Sequence, residues 1–262
     1  MKMKNGFDND IIVGIDIGSE NIFCSIGLIE NDNNNVKLLG LGIAPVLDSF
    51  RKGAITNRNN LIEQLEIAVT AAETMADKKV DSAYMTITGD HIRCMNTQGA
   101  IALNRNKANG TISNDPISQR DINKVLELTQ GIALPPDRDI LHTIPQEFIV
   151  DTLEKIDNPI GLSGRRLEGH VHLVTASTSG MENLIEAAEE LGININGLVF
   201  KPLASAIPTL TKDEMKLGVS LIDIGSTTTS IAVFNEGAVR HSAVIPVGSS
   251  SITNDIAVMP VS

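Results

Sequence analysis

The sequence predicts an α/β protein of two related lobes, the second incomplete, with a small α+β unit inserted in the first. Three observations carry that reading. A strand ending in the turn Asp16-Ile17-Gly18-Ser19 recurs 207 residues on as a strand ending in Asp223-Ile224-Gly225-Ser226. Each copy is followed by an alternating second strand and a hairpin to a third. Between the copies the texture changes at about Gly89 and returns near Gly169. Aromatic residues are only 3% and Trp is absent, so the core must be built from Ile, Leu, Val and Ala, which suits sheets covered by helices.

In order along the chain, Ile11–Ile17 is a continuous apolar run, and Ile22–Ile29 alternates as a second strand does. Asn31–Asn35 is a turn, and Val36–Val46 a third strand. Leu61, Leu65, Ala68, Ala72 and Met75 form one stripe of a helix over about Asn59–Ala76, with Thr56 or Asn57 as N-cap. Ala83–Thr88 returns as a strand. Two short strands, Ile92–Met95 and Gly99–Leu103, are expected around a turn. The polar stretch Asn104–Asp115 has no periodicity and is read as a mobile loop. A helix from Ser118 to Gln130 opens with Asp121 at capping spacing. Strands follow at Leu141–Val150 and Leu167–Val174. Helix Ser177–Leu191 closes at Gly192. A strand at Leu198–Phe200 and a short helix at Pro202–Leu210 lead to Val219–Ile224, Ser230–Phe234 and Ala238–Val247, the second meander. The division expected is 1–88 with 170–205 as the first lobe, 89–169 as the insert, and 206–262 as the start of the second lobe.

Composition bounds the function. The hydrophobic share of 42% against 20% charged residues is that of a chain able to bury a core. A net charge of −11 argues against nucleic acid and against direct adhesion to an anionic membrane. Cys24 and Cys94 lie far apart without a CxxC spacing and read as reduced thiols. No run reaches the ~18 apolar residues of a membrane span, so the chain is read as cytoplasmic.

The paired turns point to phosphate chemistry. Gly18 and Gly225 let the backbone approach a phosphate and offer N–H groups, while Ser19, Ser226, Thr227 and Thr228 add hydroxyls. Asp16 and Asp223, being anionic, would hold a hydrated Mg²⁺ through water. On that reading Asp16 serves the metal and its loss leaves folding unaffected. Two such loops facing one another would clamp a ligand between lobes.

The residues then allow a family comparison. Val13–Ser19 resembles the phosphate-1 motif of the actin, sugar-kinase and Hsp70 superfamily, LIDIGSTTTSIAVF at Leu221–Phe234 its phosphate-2 motif, and KPLASAIPTL at Lys201–Leu210 its connecting helix. The segments GDHIRCMNTQGAIAL, ILHTIPQEFIVD and SGRRLEGHVHLVTAS are similar to the SHS2-like subdomain of the FtsA family of bacterial division proteins. RHSAVIPV and SITNDI match that family too. The resemblance covers Ile11 to Ile256. It implies actin-like, ribonuclease-H-like lobes of five strands each, ATP and Mg²⁺ as ligands with weak or no hydrolysis, self-association into filaments, and partnership with FtsZ and other divisome proteins. It also implies a place at the cytoplasmic face of the inner membrane.

Departures from the family pattern matter. Ser226 and Thr227 stand for two glycines, and Thr227 is expected to resist a positive φ and to crowd a phosphate. Lys201 stands where many relatives have a carboxylate. It is expected to be exposed, with phosphate contact as the alternative. Gly248-Ser249-Ser250 replaces Gly-Gly-Asn. Measured against the family, the sequence is expected to be a truncated form without the adenine loop, the FtsZ-binding subdomain or the membrane tether, and therefore to bind ATP weakly. A small-molecule kinase of the same superfamily is the rival class, but no Asp lies at Gly192–Lys201 to deprotonate an acceptor. A PilM-like pilus protein is the other alternative. His170 and His172 share a strand face, but no third ligand is near and no metal site is expected there.

Overall fold

A computed structural model describes residues 11–30, 35–103, 105–106, 112–113 and 115–258. The first meander is β1 (Ile11–Ile17), β2 (Asn21–Glu30) and β3 (Asn35–Pro45), followed by the small hairpin β4 (Phe50–Arg51) and β5 (Ala54–Ile55). Next come α1 (Arg58–Ala76), β6 (Ser82–Ile87), β7 (Arg93–Ala102), and the short pair β8 (Arg105–Asn106) and β9 (Ile112–Ser113). After α2 (Gln119–Gln130) run β10 (Arg138–Val150), β11 (Leu153–Ile156) and β12 (Arg166–Ser177). The chain then forms α3 (Thr178–Glu189), β13 (Asn194–Phe200), α4 (Lys201–Thr209) and α5 (Lys212–Leu217). It closes with β14 (Val219–Ile224), β15 (Thr229–Asn235), β16 (Ala238–Ile245) and α6 (Ser249–Val258).

Three larger sheets result. The first has the order β13-β6-β1-β2-β3, with β1, β6 and β13 parallel and the meander antiparallel. Its core joins Ile15, Ile22, Ile26 and Met85 to Leu61 and Leu65 of α1 and Leu184 of α3. Asn57 caps α1, its side chain accepting from the Asn60 N–H. Gly42 sets how close that helix lies, because a Cβ there would fall 1.7 Å from the Ala68 carbonyl oxygen. Of the expected stripe, Leu61, Leu65, Ala68 and Ala72 are buried, whereas Met75 is exposed, its sulfur 3.4 Å from the Leu41 N–H of β3.

The second sheet, β11-β10-β12-β7, is antiparallel, with α2 packed over it through Ile122 and Val125 against Phe148 and Leu167. Here one expectation fails. The two short strands and turn at 92–103 are one unbroken strand, β7, paired with β12 from Arg93 to Ala102. The polar run Asn96–Gly99 looks like a turn, but Gly99 pairs with Gly169, and a Cβ on Gly169 would lie 2.6 Å from Val125. The glycines make room for the helix, not for a reversal. The expected boundary at 169/170 falls inside β12. The loop read at 104–115 lies mostly outside the described residues, as does most of the turn at 31–35.

The third sheet, β14-β15-β16, is three-stranded among the described residues. Ala232, Phe234 and Val239 meet Ala206 of α4 in a small core. It meets the second sheet along a polar seam. His172, 1% exposed, places Nδ1 2.6 Å from Asn96 Oδ1 and Nε2 2.7 Å from Ser242 Oγ. The Gln146 amide donates to the Val239 carbonyl at 2.7 Å, and Asn96 donates to that of Arg240 at 3.0 Å. Since Asn96 Oδ1 only accepts, the His172 proton sits on Nδ1, and Nε2 is the ring's acceptor facing Ser242 Oγ, which also lies 3.0 Å from Cys94 Sγ. Burial, aided by nearby His241, pushes the His172 pKa down to about 4. His170 meets Glu147 and Glu168 instead, so the two histidines face different partners. Cys24 is buried and its pKa is pushed up to about 11 by burial, while Cys94 is half-buried, and both are free thiols.

Candidate functional site

The two Asp-Ile-Gly-Ser turns are built alike down to single bonds. In the first, β1 and β2 pair Asp16 with Phe23 and Ile17 with Ile22, and in the second, β14 and β15 pair Asp223 with Ser230 and Ile224 with Thr229, the same register shifted by 207. The Gly18 N–H donates to the Asn21 carbonyl at 3.0 Å, and the Gly225 N–H to the Thr228 carbonyl at 2.9 Å. A Cβ on Gly18 would lie 3.0 Å from that Asn21 oxygen, and on Gly225 3.1 Å from that of Thr228. A side chain at either glycine would therefore crowd the equivalent carbonyl, so both turns are tight for the same reason. Even the bulge recurs, at Ile26/Gly27 and Val233/Phe234.

The turns face one another across a cleft of about 190 Å³. Asp16, Gly18 and Ser19 line one side, and Gly225, Ser226 and Thr228 the other, with Lys201, Glu20, Gly53 and Thr88 between them. Six of the eight residues expected to hold the phosphates and Mg²⁺ thus converge. Thr227 stands at the rim, where its Oγ1 lies 2.6 Å from Ser19 Oγ and accepts from the Lys52 N–H at 3.2 Å. Its φ is not positive, so the turn forms without the strain expected of a β-branched residue. Asp223, half-buried at the end of β14, is not among the lining residues. A second bond crosses the cleft floor, where Thr88 Oγ1 and Ser230 Oγ are 3.0 Å apart.

Two expectations are corrected at Asp16 and Lys201. Lys201 is not simply exposed: its side chain is 25% accessible and its Nζ lies 3.0 Å from Asp16 Oδ2. The other carboxylate oxygen, Oδ1, accepts from the Thr86 hydroxyl. Asp16 therefore has two protein partners and is part of how β1, β6 and α4 are held together. The start of α4 is fixed as well, because the Phe200 N–H donates to His142 Nε2 at 2.9 Å. Burial holds His142 below its ordinary pKa, in the neutral form that can accept.

The second turn is buttressed by α6. The N–H groups of Ser249 and Ser250 donate to the Gly225 and Ser226 carbonyls at 2.9 and 3.0 Å, and Ser250 Oγ adds a bond to Ser226. Gly248 permits this, since a Cβ there would lie 2.4 Å from the Gly225 oxygen. The first N–H groups of α6 are thereby spent on the loop carbonyls.

Sequence reasoning missed Thr86, Thr88 and the Lys52-Gly53 turn. The turn has φ of 52° and 86°, bringing Gly53 within van der Waals reach of Gly89. Thr86 could have been found from topology: β6 runs parallel to β1 with Tyr84 beside Gly14, which sets residue 86 beside Asp16. A larger cavity of about 430 Å³ between β10 and the β15–β16 hairpin has none of the paired turns.

The sizes and donors fit a phosphate group better than a whole nucleotide. About 190 Å³ is below the range of sites that enclose drug-sized ligands. Glycine turns and four hydroxyl side chains, Ser19, Ser226, Thr88 and Thr228, suit an anion. For a divalent cation, Asp16 is the available carboxylate in the lining besides Glu20, and no cluster of three His, Cys, Asp or Glu occurs among the described residues.

Comparison with known proteins agrees with this architecture. A family model described as the SHS2 domain inserted in FTSA matches residues 89–175, and one described as cell division protein FtsA matches residues 220–260. The cell division protein FtsA of Pseudomonas aeruginosa is 36% identical over 247 residues, covering 94% of this chain and 57% of that protein. That of Escherichia coli K12 is 34% identical over 255 residues, covering 97% and 58%. The chain thus spans a little more than half the length of these curated relatives. Among solved structures, a PilM-PilN type IV pilus biogenesis complex aligns with TM-score 0.64 at 15% identity, over 94% of this chain and 64% of that one. The ethanolamine utilization protein EutJ of Carboxydothermus hydrogenoformans aligns with TM-score 0.50 at 13% identity, over 94% and 56%. These structural likenesses are of fold. With two family models on separate segments and relatives above 30% identity along nearly its whole length, the chain belongs to the FtsA family and has the actin-like fold with the inserted SHS2 unit.

Proposed function

We propose that the chain acts in bacterial cell division as a nucleotide-binding, actin-like component. The observation that carries this is the pair of turns with the same register and the same closing bond, facing one cleft, in a chain of this family. Gly18, Ser19, Gly225, Ser226 and Thr228 would meet the phosphates of ATP, and Thr227 would give up its bond to Ser19 to admit them. Asp16 would hold Mg²⁺ from the first turn, and Asp223 from the second. Mg²⁺ would neutralise phosphate charge. The chain's own residues orient the phosphates and tie the two sheets around them. Nothing among the described lining surrounds an adenine, which supports weak ATP binding.

Residues 1–88 with 170–205 would form the first lobe, 89–169 the recruiting unit for later division proteins, and 206–262 the start of the second lobe. In the complete setting of the family, the protein would self-associate into filaments and link FtsZ to the cytoplasmic face of the inner membrane. No helix among the described residues is long and apolar enough to cross a membrane. The PilM likeness favours a pilus-assembly role only at the level of fold, whereas division proteins are more than twice as similar in sequence.

Two measurements test the reading. Calorimetry with Mg-ATP is expected to give a dissociation constant well above micromolar; no heat at millimolar ATP overturns nucleotide binding. Overproducing the chain in the organism that makes it is expected to give filamentous cells, through competition for division proteins. Deleting residues 89–175 from the overproduced chain is expected to restore normal length. Undisturbed division overturns the role.

A further inference from the structure

Lys201 is the one basic side chain in the cleft's described lining, against Asp16 and Glu20. A cleft with that balance repels a phosphate unless a cation is supplied. Lys201 also sits at the first position of α4, where the helix dipole disfavours a positive charge, and Pro202 follows it. Asp16 offsets that cost at 3.0 Å. The pairing takes up one of the three ammonium donors and leaves two, while a quarter of the side chain stays accessible and Lys201 lines the cleft.

The same pairing bears on the metal. Thr86 and Lys201 between them occupy both Asp16 oxygens. A divalent cation held on Asp16 would have to share the carboxylate with a fixed ammonium of like sign, and that repulsion weakens it.

We infer that Lys201 is a phosphate-binding residue: its ammonium bridges Asp16 and the incoming phosphate, and phosphate binding in this cleft depends on Lys201 more than on Mg²⁺. This rests on the nucleotide reading above and adds the charge that makes it work. Lysine as a compact point charge suits the task, since its three donors can serve carboxylate and phosphate together without a fixed fork geometry.

The test uses the whole chain, a fluorescent ATP analogue as probe, and inorganic triphosphate as competitor, each in Mg²⁺ and in EDTA. Chelation is expected to weaken wild-type binding less than about tenfold. K201Q is expected to lose about tenfold or more in EDTA, the scale of one hydrogen bond to a charged group, and K201R to retain most binding. Inorganic triphosphate is expected to compete with the probe on the wild type in EDTA, and failure to compete would place the contact outside the phosphates. Circular dichroism checks that each variant is folded; should K201Q fail to fold, the wild-type chelation and competition arms still decide. Binding by K201Q equal to the wild type in both media, or complete loss of wild-type binding in EDTA, overturns the inference while leaving the nucleotide reading intact. Absence of wild-type binding even with Mg²⁺ overturns both.

Discussion

The hydroxyls of Ser19 and Thr227, residues 208 positions apart in the chain, lie 2.6 Å from one another and tie the two turns together. The bond crosses the mouth of the cleft, so a phosphate entering between the turns has to compete with it. Thr227→Gly removes that tie and opens the rim, where the family pattern has glycine. The expected outcome is tighter binding of an ATP analogue by about three- to tenfold, the scale of a partly buried neutral hydrogen bond. Unchanged or weaker binding by fluorescence titration would contradict it.

Asp16→Ala is expected to destabilise the chain, contrary to what its role as a metal ligand alone suggests. It leaves Lys201 and the Thr86 hydroxyl without their acceptor. Both charged side chains are about one-quarter accessible, so solvent screening keeps the loss modest, at about 1 kcal/mol in urea denaturation without nucleotide. A double-mutant cycle with K201M should show positive coupling. Additive effects would separate the two residues.

Gly42→Ala is expected to cost about 3 kcal/mol or to prevent folding, since the new Cβ would overlap the Ala68 carbonyl oxygen of α1. Soluble yield and the urea midpoint report it. A wild-type midpoint would mean α1 can lift from β3 at no cost.

Stability should fall as pH is lowered from about 6.5 to about 4. The folded state holds His172 neutral with a pKa of about 4, and His142 is lowered as well, both chiefly by burial. In that window the unfolded chain binds more protons than the folded one, so acid favours unfolding, by up to about 3 kcal/mol for His172 alone. Protonated His142 would also lose its ability to accept from Phe200 at the start of α4. His172→Gln is expected to flatten the slope while lowering stability at pH 7. A slope unchanged by the variant would assign the effect elsewhere.

Much of this was readable in the residues. The repeat of Asp16–Ser19 at Asp223–Ser226 announced both the duplicated meander and the site, because a glycine turn at a strand end and strict alternation afterwards are local signals. α1 and α2 were equally legible from their stripes and caps. What failed were properties set by neighbours distant in sequence. Asn96–Gly99 reads as a turn until α2 is known to lie over Gly99 and Gly169. Lys201 reads as a surface lysine until β13 delivers it to Asp16. Thr86 carries no motif, and only the parallel pairing of β6 with β1 gives it a role. Thr227 was judged by the backbone freedom it lacks, whereas its side chain found a partner across the cleft.

The seam of His172, Asn96, Gln146 and Ser242 has a mechanical consequence. Apolar surfaces of like shape can slip past one another at little cost, but a row of directional bonds fits in one alignment only. Shifting it by a residue would leave His172, Gln146 and Ser242, all buried, without their partners. The inserted unit and the third sheet are therefore geared together. Any rocking of the third sheet when the cleft fills would swing the outer rim of the inserted unit, turning a local event at the turns into displacement of a distant surface.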